Sequence, residues 1–194
     1  MSDTFAFLRL TAPKGGWQPL HESLTNHLAP REIWGAFHGL FGVGSNELIA
    51  VTVGSDDAVT ESIETARRLE AEHVEALMLK PTARPTGTAP LTREGLYVFR
   101  FLDVAHADVE EIASLSARAW QTFEGSGDYR AEAQALFCQR DRSAERGRML
   151  LLTWYDGLNS WQTSRQPPAE AASYFERRRR LTPGSIAYAT RLIT

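Results

Sequence analysis

Apolar and polar positions along the chain fall into two series of similar order. The first opens with FAFLRL at residues 5–10, the second with LYVFRF at 96–101. Both are short runs of β-forming residues, and each carries an arginine in fifth place, Arg9 and Arg100. A helical stripe follows each. In VEEIASLSARAWQTF (109–123), Val109, Ile112, Ala113, Ser116, Trp120 and Phe123 recur at helical spacing. Asp108 and Glu111 are placed as a capping box before it. WQPLHESLTNHL (17–28) is a shorter version with Trp17, Leu20, Leu24 and Leu28. Two strand patterns come next in each series: 33–42 and 47–53 in the first, 129–139 and 148–155 in the second. Thr52 and Thr153 fall at the same depth of the later strand. A second helix follows, at 57–72 and, after Pro167-Pro168, at 169–181, and each series ends in a β-like run, 73–80 and 185–193.

Between the two series, residues 80–95 carry Pro81, Pro85, Pro90 and Gly87 and little apolar content, as an extended connection does. The expected organisation is therefore a unit over 1–82, a linker over 83–93 and a unit over 94–194. Each unit is predicted to be β-α-β-β-α-β, the ferredoxin-like order, in an α+β protein. Such a unit leaves one sheet face without helices, so the two sheets are expected to face each other.

Composition narrows the function classes. The 194 residues carry a formal net charge of -3, which provides no field for nucleic acid. No apolar run reaches membrane-spanning length, and the start of the chain lacks the pattern of a signal peptide, so a cytoplasmic protein is expected. The single cysteine, Cys138, precludes an internal disulfide and a cysteine-rich zinc site. No metal-ligand spacing, nucleotide loop or nucleophile elbow is present, and neither metal nor cofactor is expected.

The strand LYVFRF, the helix ending near Trp120, the segment MLLLTWYDGLNSW and the run FERRRRLTPG before a final strand together resemble NIPSNAP-like proteins of the dimeric α/β-barrel superfamily. The resemblance implies a tandem, single-chain version of that barrel, a pseudo-dimer within one chain, with the molecule a monomer or a homodimer. It also implies the superfamily's range of activities: quinone-type and haem-degrading monooxygenases, muconolactone-type isomerases and haem peroxidases. None of the matched pieces is a catalytic signature, and no matched motif gives His38, His73 or His106 the role of a haem ligand.

Strand alternation gives the candidate site. Arg9 and Arg100 are expected between the sheets, with Trp34, Thr52, His73, Glu75, Tyr97, Glu132, Gln134, Thr153, Trp154 and Tyr188 lining the same cavity. His38 is the candidate base, because imidazole exchanges protons near neutral pH and its neighbours Ala36 and Gly39 are small. Arg9 or Arg100 would hold an oxyanion. The competing expectation is structural: Arg9 pairs with Glu75, Arg100 pairs with Glu132, and the aromatic residues pack the core. Arg177–Arg180 covers a full helical turn, so its members cannot all face one ligand. Two functions remain: a cofactor-independent monooxygenase or isomerase acting on a small aromatic or apolar molecule, or a non-catalytic binding or structural module. Haem binding is a minor third.

Overall fold

The computed structural model describes residues 3–29 and 32–194. The chain forms two compact units, and their boundaries differ from the expected ones. Unit 1 takes the described residues of Met1–Lys80 together with Gly87–Glu94 and Tyr188–Thr194; unit 2 takes Pro81–Thr86 and Gly95–Ala187. Part of the expected linker is strand, and the last strand of the chain is divided between the units.

Unit 1 contains β1 (Thr4–Thr11), α1 (Gln18–His27), β2 (Ile33–Phe41), β3 (Glu47–Gly54), α2 (Asp56–Arg68) and the first part of β4 (His73–Arg84). β1 lies antiparallel between β3 and β4, and β2 pairs with β3, which is the ferredoxin-like order. The even-numbered residues of β1 face the helices: Ala6, Leu8 and Leu10 pack with Leu20 and Leu24 of α1 and with Val59, Ile63 and Ala66 of α2. α2 forms because its apolar residues recur on that one side and its ends are matched to the helix dipole. The Ser55 hydroxyl accepts from the Ala58 amide, Asp56 and Asp57 occupy the first turn, and Arg67 and Arg68 the last.

Unit 2 contains β5 (Leu96–Ala105), α3 (Val109–Phe123), β6 (Ala131–Gln139), β7 (Arg146–Tyr155), α4 (Leu158–Thr163), α5 (Ala169–Leu181) and the start of β8 (Gly184–Leu192). β7 lies between β5 and β6, antiparallel to both. Gly95 opens β5 at a φ of 148°, a conformation that suits glycine, and a side chain there would meet Trp154 and the Tyr155 carbonyl. The expected stripe of α3 is buried, Val109 through Phe123. Its start differs from the expected capping box. A 3-10 turn, His106–Asp108, leads into the helix, so Asp108 has φ -91° and ψ -5° and its side chain caps nothing. Capping requires the extended conformation that the turn removes. Glu110 and Glu111 still place negative charge at the helix start.

One correction to the repeat decides where the site lies. Thr52 stands opposite Ala6, and Thr153 opposite Val98. Matching the two threonines therefore places Leu8, opposite Ala50, at the position of Arg100, opposite Leu151. Arg9 and Arg100 are not equivalent. A shift of one residue reverses the face of a strand, so Arg9 points away from its helices and Arg100 toward them.

Candidate functional site

On the helix side of the unit 2 sheet, Val98, Arg100 and Leu102 of β5 and Leu151, Thr153 and Tyr155 of β7 form the floor of a cleft of about 360 Å³. Trp120 and Phe123 of α3 and Phe175 and Arg178 of α5 form its walls, with Ser164 and Arg165 after α4, Thr182 after α5 and Ser185 at the start of β8. The cleft exists because α5 stands against α3 and buries only Ala171 completely. Its contact with α3 is aromatic: Phe175 meets Phe123 edge-on at 5.4 Å. Phe123 also packs on Tyr129, at 5.2 Å.

The polar groups of the cleft are unusual in their sign. Arg178 donates to the Ser116 hydroxyl at 3.1 Å and lies over the Phe175 ring at 4.9 Å. Neither partner is an acid. Among the described residues, Arg100, Arg165 and Arg178 form no ion pair. Burial, and then the nearby charge of Arg100, pull Arg178 down to about 10 from the usual arginine range. Arg100 is lowered by burial first and by Arg165 second. Burial raises the Tyr155 phenol, while a hydrogen bond with Ser164 and the charges of Arg100, Arg165 and Arg178 oppose that rise. Glu176 reaches the rim, but it is engaged by Arg179 and by Arg180, the latter at 3.8 Å.

Of the residues expected from sequence, the structure brings Arg100 and Thr153 together in this cleft. Tyr97 and Trp154 pair across the other face of the same sheet, and Tyr97 is fully buried. Glu132 stands opposite Trp154, on the face away from Arg100, so the expected Arg100–Glu132 pair does not form. Gln134 lies in a bulge of β6, its amide reaching the Glu132 carbonyl at 3.4 Å.

The unit 1 residues divide between two faces. Arg9 stands opposite Glu75 in register, yet its ion pair is with Glu47: Nε to Oε1 at 3.0 Å and Nη2 to Oε2 at 2.7 Å. Glu47 lies one pleat along β3 on the same face as Arg9, and the bidentate geometry satisfies the whole guanidinium edge. Tyr188 receives the other side of Arg9, 4.9 Å from its ring centre. Trp34 is buried edge-on against Phe5, at 5.6 Å. Thr52 faces the helices and shares a hydrogen bond with Ser62 of α2 at 2.8 Å. His38 stands opposite Leu48, on the helix side, stacked on Trp17 at 5.4 Å and 9°. His38 and Arg9 therefore lie on opposite faces of one sheet. His73 is exposed at the start of β4.

Sequence reasoning passed over Arg178. Ala171, Phe175 and Arg178, with Thr182 just past the helix end, lie at intervals of four, three and four, the inward stripe that α5 sets. An arginine inside that stripe was the available signal.

No protein-family model matches the chain, and no curated protein matches it in sequence. Solved structures do. An anthrone oxidase-like protein superposes with a TM-score of 0.68 at 12% identity, covering 100% of this chain and 92% of the other. A candidate monooxygenase from Lactobacillus acidophilus NCFM gives 0.63 at 14% identity, covering 100% and 94%. A ferredoxin-fold protein related to antibiotic biosynthesis monooxygenases, from Listeria monocytogenes, gives 0.57 at 10%, covering 100% and 96%. At these identities the likeness is one of fold. The chain has an α+β, ferredoxin-like fold, as these proteins do.

Proposed function

We propose that this protein binds an aromatic or apolar small molecule in the unit 2 cleft and acts on it as a cofactor-independent monooxygenase or isomerase. The observation that carries this reading is Arg100, a cation with no acidic partner among the described residues, on the floor of an aromatic-walled cleft. A phenol or ketone that passes its proton to water at the open side of the cleft becomes an electron-rich anion, and Arg100 stabilises its oxygen. Such an anion reacts with molecular oxygen, or takes its proton back at another carbon and is isomerised. The NIPSNAP-like resemblance, the origin of the units by tandem duplication and a cytoplasmic location belong to the same proposal.

One observation favours a second reading, a binding module without turnover. Glu176, the carboxylate at the rim, is already held by Arg179 and Arg180, and His38 is stacked on Trp17. Oxygen uptake with anthrone as the trial substrate separates the two. Uptake above the uncatalysed rate that falls at least tenfold in Arg100→Leu supports the enzyme, on the scale expected for one lost oxyanion donor (~100-fold). Saturable binding without uptake supports the module. His38 is not among the residues lining the cleft, so His38→Ala is expected to leave the rate unchanged, and a large loss of rate would count against the cleft as the site.

A further inference from the structure

The cleft holds more positive charge than its walls balance. Arg100 and Arg178 line the same cleft, where the charge of Arg100 disfavours that of Arg178 and the charge of Arg165 disfavours that of Arg100. The neighbouring acids are committed elsewhere: Glu176 to Arg179 and Arg180, Glu111 to Arg177. Tyr155, the remaining titratable group on the floor, is a neutral phenol whose burial favours its protonated form. The Ser116 hydroxyl fixes the Arg178 guanidinium from α3 while itself donating to the Ile112 carbonyl at 2.7 Å. Like charges are costly to gather beside an apolar wall, and an anion between them offsets that cost.

We propose that the ligand of this cleft is an organic acid. Its anionic oxygens are held jointly by Arg100 and Arg178, and its apolar or aromatic body lies against Trp120, Phe123 and Phe175. This rests on the reading of the cleft as a small-molecule site and adds the charge of what enters it. Paired guanidinium forks suit the two oxygens of a carboxylate, and phosphate presents the same chemistry.

Titration calorimetry with 2-naphthoate, its neutral isostere 2-naphthamide and inorganic phosphate tests the proposal. The expected result is that naphthoate binds at least about tenfold more tightly than naphthamide, the loss expected for one charge-assisted contact. That preference should vanish in Arg100→Leu and in Arg178→Met, and survive in part in Arg100→Lys, which also controls for folding. Phosphate binding without naphthoate binding would assign the site to a phosphorylated ligand instead of a carboxylic acid. Equal binding of naphthoate and naphthamide, unchanged in Arg100→Leu, overturns the charge inference and leaves the apolar cleft standing. Failure of both aromatic probes and of phosphate sinks the inference together with the reading beneath it.

Discussion

The two units build one β-α-β-β-α-β order into opposite outcomes on the helix side of the sheet. In unit 1 the position of Arg100 is Leu8, fully buried against both helices. The position of Thr153 is Thr52, whose hydroxyl is used by Ser62 of α2. One residue, Ser55, separates β3 from α2, so the helix turns directly back onto its sheet, burying Val59, Ile63 and Ala66. In unit 2 the same connection is lengthened by α4 and by Pro167-Pro168, and α5 comes to rest against α3 instead. Thr153 and Arg100 then line space. A closed core and a cleft thus differ by the length of one connection and by which residue occupies one strand position.

The largest expected effect comes from exchanging that residue in the closed unit. Leu8→Arg places an unpaired charge at a site with 0% exposure, and a stability loss of about 4 kcal/mol is expected in urea unfolding. A loss under about 1 kcal/mol would mean that unit 1 can open as unit 2 does. The reverse exchange should have the reverse sign. Arg100→Leu removes one member of a like-charged pair and is expected to stabilise the unliganded protein by about 1–2 kcal/mol while weakening acid binding. Destabilisation by that variant would show that Arg100 supports the core.

Much of this comparison was legible in the chain, and the part that was not has a definite cause. The α3 stripe and the α5 range follow the apolar period closely, because both helices have a wet and a dry side. The sheet faces were read wrongly for Arg100, because matching FAFLRL to LYVFRF by their arginines slips the register by one. The threonines gave the correct match, and no local pattern says which pair of landmarks to trust. Arg9 found Glu47 and not Glu75 because both carboxylates lie on its face, and bidentate geometry chose between them. Arg178 was hidden by its neighbours: a run of four arginines looks solvated, while its inward member is set by the phase of the helix.

The charge pair in the cleft also makes a pH prediction with a definite sign. Arg178 titrates near 10 in the folded protein, below its value in the unfolded chain. Below pH 10 it is charged in both states, and folding carries the full cost of its burial. Above pH 10 the unfolded chain binds more protons than the folded one, so the cost declines. Arg178→Met should therefore be the more stable protein at pH 7–9, with an advantage that shrinks as the pH passes 10. A constant difference across that range, measured by thermal unfolding, would mean that the guanidinium is already balanced.

The smallest effect concerns how each second helix is held. The Ser55 hydroxyl accepts the Ala58 amide at 3.2 Å, whereas Pro168 at the start of α5 offers no side-chain cap. α5 is free of that constraint and is placed by Phe175 and Arg178 against α3. Ser55→Ala is expected to cost about 1 kcal/mol, read as a shift in the urea midpoint with an unchanged slope. Because the cap lies in unit 1, the affinity of the unit 2 cleft for 2-naphthoate should stay the same. A loss of affinity alongside that shift would show that the closed unit sets the shape of the open one.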